Sequence, residues 1–291
     1  MLLDISKRTK PIIKWAGGKS GLLTQFQKYF PENCNRYIEP FIGGAAVFLS
    51  LKENINAIIN DSNQEIISLY QVVRNNPHEL MTCLDNLAKD YSEDFYYELR
   101  KTEYECVIQR AARTIFLNKA GFNGLYRQNS KGGFNVPFGK RLKCPELYEA
   151  NNFLEASEKL KHADLRNQDF EEILEESLEG DLIYCDPPYE PLNNTSSFNA
   201  YQANGFSQSE QIRLRDACVR AAEKGALVFV SNSTADFILD LYKDFEIKRV
   251  SAKRAINSVG NRRGQIDEVL AIIGSRNEFI NGIESKLLVH V

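Results

Sequence analysis

Four residues in the second half of the chain have the composition of a site that handles an amine. Asp186-Pro187-Pro188-Tyr189 directly follows the apolar run from Asp181 to Cys185, which predicts a buried strand. Open α/β sheets bind ligands at the carboxyl ends of their strands. A carboxylate beside a rigid carbonyl, such as that of Pro187, can accept both hydrogens of an exocyclic amine, and Tyr189 offers a face for stacking a base. The alternative is that Asp-Pro-Pro is only a turn that ends the strand.

Two glycine pairs near the start of the chain are candidates for a nucleotide site. Lys14-Trp15-Ala16-Gly17-Gly18-Lys19 precedes the first predicted strand, and Gly43-Gly44 ends that strand. The string Gly17-Gly18-Lys19-Ser20 resembles the end of a phosphate-binding loop. That motif needs a glycine where the chain has Ile13, which disfavours kinase and ATPase chemistry. Asp61 ends the second predicted strand, where an acidic residue can accept hydrogen bonds from a ribose. It could equally cap the helix that follows.

The cysteines and histidines exclude several other chemistries. Six cysteines and three histidines are widely scattered, so neither a disulfide framework nor a metal site is predicted. The chain contains no Pro-Cys pair, which disfavours the cysteine nucleophile that methylation at C5 of cytosine requires. No signal peptide or membrane-length apolar run is present, and we expect a cytoplasmic protein without a membrane partner.

The basic residues are concentrated in two segments, although the formal net charge is −3. The stretch from Cys106 to Pro145 contains no acidic residue, and a second acid-free stretch runs from Lys248 to Arg263. Such segregation indicates a footprint for a phosphate backbone. The alternative is that both segments are simply solvated surface.

The order of the predicted elements indicates an α/β fold with a doubly wound, Rossmann-like sheet. A strand from Arg36 to Phe41, a glycine-rich turn, a helix from Ala45 to about Glu53 and a strand from Ala57 to Ile59 open the pattern. Four helical segments then occupy Glu65 to about Gly121. They are followed by a loop rich in glycine, asparagine and aromatic residues, Phe122 to Gly139, and by a helix near Glu146 to Lys161.

Strands return after this region, which predicts a helical insert within the sheet domain. The later strands are predicted at Ala163 to Arg166, Asp181 to Cys185, Leu227 to Val230, Glu246 to Arg254 and Glu268 to Ile273. Ser207 and Glu210 form a capping box before the last long helix, and Gly225 ends it. We therefore predict a catalytic domain of residues 1–68 and 162–291 and an inserted recognition domain of residues 69–161. The segment after Gly274 carries no clear signal.

The motifs and their order closely resemble those of the Dam-type DNA adenine N6-methyltransferases. The resemblance runs from about Lys14 to Gly274 and follows the alpha arrangement of that family, with cofactor motifs first, recognition segment next and catalytic tetrapeptide last. Besides the motifs above, it rests on three segments: Glu39-Pro40-Phe41-Ile42-Gly43-Gly44, Phe122-Asn123-Gly124-Leu125-Tyr126-Arg127 and Phe134-Asn135-Val136-Pro137-Phe138-Gly139.

The resemblance implies a methyltransferase with S-adenosylmethionine as cofactor and double-stranded DNA as partner, acting on a flipped-out adenine within GATC. It implies catalytic roles for Asp186, Pro187 and Tyr189. The residues that it implies for the cofactor are Trp15, Ala16, Gly17, Lys19, Glu39, Phe41, Gly43, Asp61, Asp169, Phe170 and Asp186. The residues that it implies for DNA are Lys14, Phe122, Asn123, Leu125, Arg127, Asn135, Pro137 and Arg262.

Several alternatives remain open from the sequence. Asp169 could serve only as a helix cap, and Arg127 could bind phosphate rather than a base. Phe122 departs from family members that have an intercalating tyrosine, so a hydroxyl contact is lost there. Methylation of cytosine N4 or of RNA adenine is the nearest enzymatic alternative, and a catalytically silent DNA-binding protein is another. The sequence does not indicate whether a restriction endonuclease accompanies the protein.

Overall fold

A seven-stranded sheet forms the centre of the molecule. The computed structural model describes residues 1–6, 9–129, 132–192, 206–253 and 265–288. The strands are β1 (Arg36–Glu39), β2 (Ala57–Asn60), β3 (Ala163–Arg166), β4 (Asp181–Cys185), β5 (Leu227–Ser233), β6 (Glu246–Lys253) and β7 (Gln265–Ile273). Their order is β3-β2-β1-β4-β5-β7-β6. The first five are parallel, and β7 runs antiparallel between β5 and β6. The predicted α/β, Rossmann-like sheet is confirmed.

Ten helices surround this sheet in the described part of the chain. They are α1 (Leu23–Phe26), α2 (Gln64–Asn75), α3 (Pro77–Lys89), α4 (Glu93–Lys101), α5 (Val107–Ala120), α6 (Ala150–Leu160), α7 (Phe170–Glu175), α8 (Gln208–Glu223), α9 (Asp236–Leu241) and α10 (Arg276–Leu288). Ser207 caps α8, because its hydroxyl accepts a hydrogen bond from the Glu210 amide. The Glu210 carboxylate pairs with Arg213 at 2.6 Å, so only the Ser207 half of the predicted capping box is seen. None of the described helices is both long and apolar enough to cross a bilayer.

The helix predicted from Ala45 to Glu53 is wrong. Only a single 3-10 turn, Phe48–Ser50, forms there. Ala45 has a φ of 57°, in the left-handed region that interrupts a right-handed helix. The Phe48 amide donates to the buried Glu39 carboxylate at 3.2 Å, and Leu51 pairs with Leu3 as an isolated bridge. Tertiary contacts therefore hold this segment as a turn over the end of β1.

The other differences concern the ends of elements. β5 continues three residues beyond its predicted end, through polar residues that remain buried. The helix predicted from Glu146 begins only at Ala150. The segment after Gly274, which showed no clear signal, forms α10, whose Phe279 and Ile283 are buried. The connection between β6 and β7, residues 254–264, lies outside the described residues.

Two hydrophobic cores lie on the two faces of the sheet. One packs α7 and α8 against Ile38, Ile183 and Val228. The other contains Tyr37 and Phe229 of the sheet together with α2 to α6 and the loop at 122–139. The domain boundary that the sequence predicts between residues 68 and 69 falls inside α2. The inserted helices therefore share a core with the sheet.

Candidate functional site

Lys19 and Asp186 form a buried ion pair between the first glycine-rich segment and the end of β4. Lys19 Nζ lies 2.8 Å from Asp186 Oδ2, and the two side chains are 3% and 21% exposed. Lys19 Nζ also donates to the Gly17 carbonyl at 2.5 Å and lies 4.8 Å from the centroid of the Tyr189 ring. A buried ammonium needs such partners, because its desolvation is costly. The structure thus brings two predicted motifs together at the carboxyl edge of the sheet.

An excess of carboxyl groups surrounds this lysine. Burial raises the pKa of Asp186, and the ammonium of Lys19 opposes that rise. Burial likewise raises the pKa of Glu39 and of Glu268, and the Asp186 charge adds to both increases. Glu39 accepts hydrogen bonds from the Tyr37 hydroxyl at 2.8 Å and from the Phe48 amide. A single ammonium therefore faces three carboxyl groups in a poorly solvated space.

Glu268 is a site residue that the sequence predictions missed. Its Oε2 accepts a hydrogen bond from the Tyr189 hydroxyl at 2.7 Å, which fixes the end of the Tyr189 ring. Burial raises the pKa of Tyr189, and the charges of Asp186 and Glu268 add to the rise, so the hydroxyl keeps its proton. Glu268 directly precedes the apolar run from Val269 to Ile273 in β7, and an acidic residue beside such a run is the signal that could have revealed it.

A second set of missed residues supports the backbone at the Asp-Pro-Pro-Tyr turn. The buried side chain of Gln211 donates to the Pro188 carbonyl at 2.9 Å and accepts from Asn232 at 3.0 Å. Asn232 in turn accepts a hydrogen bond from the Glu190 amide at 3.1 Å. The Pro188 carbonyl is therefore already engaged, and Pro187, which is buried, carries the other proline carbonyl of the turn.

Asp61 and Trp15 shape the turn after β1. Both oxygens of Asp61 accept backbone amides, from Gly43 at 3.0 Å and from Asn63 at 2.9 Å, and burial raises the pKa of this carboxyl. A Cβ atom at Gly43 would come within 2.5 Å of the Trp15 indole nitrogen, and the φ of 43° also favours glycine there. Trp15 thus packs directly on the glycine-rich turn. The helix-cap alternative for Asp61 is not what is seen, because Asn63 caps α2.

Asp169 lies at the start of α7, beside a cluster of aromatic rings. Its Oδ1 accepts from the Glu171 amide, and Arg213 reaches both of its oxygens at 2.9 Å. Partial burial opposes ionisation, but the Arg213 and Glu171 hydrogen bonds outweigh it and lower the pKa of Asp169. The rings of Phe41, Phe170 and Phe206 pack with centroids 5.4–5.7 Å apart. Asp169 is therefore a helix cap, and its contact with a cofactor stays a prediction.

Lys14 lies beside the loop that runs from 122 to 139. The buried side chain of Asn118 accepts from the Lys14 amide at 2.8 Å and donates to the carbonyls of Lys14 and Gly124. A Cβ at Gly124 would meet the Lys14 side chain at 2.2 Å, so glycine is required for this close approach. Trp15, the next residue, stacks on Tyr126 with ring centroids 5.0 Å apart. The amino-terminal motif and the loop thus form one surface.

The predicted DNA residues of the loop are mostly exposed. Phe122 is 46% exposed, and Asn123 next to it has a left-handed φ of 55°. Arg127 is exposed and donates two hydrogen bonds to the Asn135 carbonyl, at 3.2 and 2.7 Å. Pro137 is exposed and accepts from the Phe122 amide through its carbonyl. Leu125 is half-buried and packs on the core. Arg262 lies outside the described residues.

A family profile agrees with this arrangement. The profile described as D12 class N6 adenine-specific DNA methyltransferase matches residues 15–256. The chain belongs to that family. It is therefore an N6 adenine-specific DNA methyltransferase, and enzymes of this family use S-adenosylmethionine as methyl donor.

Named relatives of this D12-class enzyme include type II methyltransferases and DNA adenine methylases. A type II methyltransferase, M1.LlaDCHI of Lactococcus lactis subsp. cremoris, is 39% identical over 269 residues, which cover 90% of this chain and 94% of the relative. M.MjaIII of Methanocaldococcus jannaschii, also a type II methyltransferase, is 40% identical and covers 87% and 95% of the two chains. The DNA adenine methylase of Escherichia coli K12 is 32% identical and covers 91% and 96%.

The site of the D12-class enzyme fits its cofactor chemically. Asp61 has lone pairs beyond those that its two amide partners use, and a ribose offers hydroxyl donors for them. The aromatic cluster of Phe41, Phe170 and Phe206 offers apolar faces on which a purine can stack. Carboxylates at Glu39 and Asp186 suit a cationic ligand.

Some basic residues of the first acid-free stretch hydrogen-bond to backbone carbonyls of the fold, and one of them, Arg113, is largely buried. Arg113 is 15% exposed and donates to the carbonyls of Leu99 and Arg100. Arg110 donates to two carbonyls at the end of the preceding segment. The basic residues of this stretch that the structure leaves exposed, apart from Arg110, are Arg127, Lys140, Arg141 and Lys143. The footprint predicted from the sequence is thus smaller than the residue count suggested.

Proposed function

We propose that this D12-class enzyme methylates a flipped-out adenine within GATC in double-stranded DNA. The observation that carries the proposal is the shared surface of Lys14 and the 122–139 loop, which joins the Asp186 turn through the Lys14–Lys19 segment. In this proposal residues 69–161 are the recognition insert, and residues 1–68 and 162–291 form the catalytic part. The fit of the loop sequence to the Dam-type pattern supports GATC in particular.

In the proposed reaction Asp186 and Pro187 hold the target amine. The Asp186 carboxylate and the Pro187 carbonyl accept the two N6 hydrogens, which draws the nitrogen from its flat geometry and exposes its lone pair. S-adenosylmethionine supplies an activated methyl group, so no strong nucleophile has to be generated. Tyr189, held by Glu268, offers a ring face to the flipped adenine. The cofactor is proposed to bind along Trp15, Ala16, Gly17, Lys19, Phe41, Gly43 and Asp61.

We propose that Arg127 reads guanine. Its exposed guanidinium matches the paired acceptors O6 and N7 in the major groove, a contact that contributes about 1–3 kcal/mol of discrimination. To make this contact, Arg127 exchanges its two hydrogen bonds to the Asn135 carbonyl for the base. Phe122 and Asn123 at the exposed end of the loop fill the space left by the flipped base.

Methyl transfer to matched oligonucleotides tests this proposal. We expect the wild-type enzyme to prefer a GATC duplex over a duplex with the first G replaced. Arg127→Ala should lose that preference, and Arg127→Lys should lose it as well, since an ammonium cannot reproduce the planar fork. Uniformly lower rates with an intact preference would show instead that Arg127 binds phosphate. Equal rates of the wild-type enzyme on both duplexes would overturn GATC as the target.

A further inference from the structure

Glu65 connects the segment after β2 to the loop at 122–139, which we call the recognition loop. It lies in the first turn of α2, and its Oε2 accepts hydrogen bonds from the Tyr126 hydroxyl and from Gln128 Nε2, both at 2.8 Å. Its Oε1 accepts from the Thr114 hydroxyl of α5 and lies 3.9 Å from Arg113 Nη1. One carboxylate therefore joins three parts of the chain: α2, α5 and the loop.

Asn63, which follows Asp61 at the end of β2, contacts the same two loop residues. Its Nδ2 lies 3.2 Å from the Tyr126 hydroxyl and 3.2 Å from Gln128 Oε1. Its backbone amide donates to Asp61. Loop residues 126 and 128 are thus held by the segment that directly follows β2.

The two residues that Glu65 holds flank Arg127. Tyr126 is buried, Arg127 is exposed and Gln128 is half-buried, as in an extended segment whose side chains alternate. The backbone of this segment pairs with the returning part of the loop: Asn135 donates to the Arg127 carbonyl at 2.7 Å, and Gln128 bridges to Phe134. Because Tyr126 and Gln128 are both held by Glu65 on the protein side of the segment, the Arg127 side chain points to the solvent side.

The Tyr126 hydroxyl is well suited to donate a hydrogen bond to Glu65. Burial and the neighbouring Glu65 charge raise the pKa of Tyr126, so the hydroxyl keeps its proton and remains a donor to the carboxylate. A hydrogen bond from a neutral donor to a carboxylate is stronger than one between neutral groups.

We propose that Glu65 is a specificity-determining positioning residue, whose carboxylate holds Tyr126 and Gln128 and so sets the position from which Arg127 reads the DNA. The proposal rests on the reading role proposed above for Arg127. Glu65 itself touches neither the base nor the reacting atoms in this scheme.

Two substitutions of Glu65 distinguish a role in sequence specificity from a general role in folding. Glu65→Ala removes the acceptor of Tyr126 and Gln128. Glu65→Gln keeps one acceptor oxygen for both. Its amide nitrogen can donate to the Thr114 hydroxyl, whose single hydrogen can then turn from residue 65 to the Arg110 carbonyl, 3.0 Å away. Glu79→Ala is the matched control, since Glu79 also lies in the first turn of a helix, α3, but is exposed.

The readout is the ratio of kcat/KM for a GATC duplex to that for the duplex with the first G replaced. We expect Glu65→Ala to lower this ratio by about tenfold, the scale of one bidentate guanine contact. Glu65→Gln and Glu79→Ala should stay close to the wild-type ratio. A simple loss of folded enzyme lowers both rates together and leaves the ratio unchanged, so a Glu65→Ala ratio equal to that of the wild type overturns the proposal.

A double-mutant cycle with Arg127→Ala completes the test. If Glu65 acts through Arg127, the double variant should show the same ratio as Arg127→Ala alone, because the effects of coupled residues do not add. Losses that multiply would place Glu65 in a separate role and overturn the proposal. If Arg127→Ala keeps the wild-type ratio, both the reading role of Arg127 and the Glu65 proposal are refuted. If Arg127→Ala lowers the ratio and Glu65→Ala leaves it unchanged, only the Glu65 proposal is refuted.

Discussion

At the scale of single residues, the ion pair of Lys19 and Asp186 joins the segment proposed to bind the cofactor to the turn proposed to hold the target amine. The two side chains come from distant parts of the chain and meet in a space with little solvent. In this space the carboxylate must stay ionised to accept hydrogens from an amine, and the ammonium opposes the protonation that burial favours. Lys19 therefore has a role even before any ligand binds.

We expect Asp186→Ala to remove nearly all methyl transfer and to change DNA affinity by no more than a few fold, because the carboxylate contacts the amine and not phosphate. Transfer of tritiated methyl groups and a gel-shift titration measure the two effects. Asp164→Ala, at an exposed carboxylate of β3, is the control. A variant that keeps more than about a tenth of the wild-type rate, roughly 1.4 kcal/mol of barrier, would show that the catalytic assignment is wrong.

The raised pKa of Asp186 predicts the acid side of the pH profile. The rate should increase with pH as the carboxyl ionises, at a higher pH than for a solvated aspartate. Lys19→Met removes the charge that lowers the pKa of Asp186 and of Glu268, so the acid limb should move to still higher pH. The measurement is kcat/KM against pH, with the exposed Lys28→Met as control. An acid limb at the same pH in Lys19→Met and wild type would contradict this account.

At the scale of elements, local pattern predicted the strands better than the turns between them. β3 and β4 match their predicted bounds. In β3 buried apolar residues alternate with more exposed polar ones, whereas β4 is a short run of buried residues, and both patterns are typical of strands. The segment at 45–53 has helix-forming residues, yet Glu39 and Leu3, which lie elsewhere in the chain, hold it as a turn. Contacts of this kind have no local signal.

The same limit applies to the candidate site. Asp186, Lys19 and Asp61 could be named from short motifs that end strands. Glu268 and Asn232 could not, since each lies inside a strand and reaches the site only because β5 and β7 are neighbours in the sheet. The available signal was the polar residues that directly adjoin the apolar runs of β5 and β7.

The contact between the amino-terminal motif and α5 gives a prediction about an element. Asn118→Ala should destabilise the fold by about 2 kcal/mol, because it leaves the buried backbone groups of Lys14 and Gly124 without partners. Asn152 makes the same pair of hydrogen bonds to the Lys10 backbone in an exposed position, so Asn152→Ala should cost much less. Urea unfolding measures both, and equal losses in the two variants would show that burial of the contact is unimportant.

At the scale of the whole molecule, residues 69–161, the proposed recognition insert, and the sheet share one core. Residues 69–161 taken alone would begin inside α2 and would lose the packing of Tyr70 and Phe116 on the rest of the cluster. We therefore expect this isolated segment to be unfolded, and the full chain to unfold in one cooperative transition. Circular dichroism of the segment and calorimetry of the full chain are the measurements. Cooperative melting of the isolated segment would show that the insert is an independent domain.

The shared core also places the chain's single tryptophan at an informative position. Trp15 packs on the turn at Gly43 with one part of its indole and stacks on Tyr126 of the recognition loop. Its emission should therefore respond both to a ligand that fills the space beside the glycine turn and to a movement of the loop. Unlabelled enzyme thus contains an intrinsic fluorescent probe, by which stopped-flow mixing with cofactor or DNA could establish which of the two binds first.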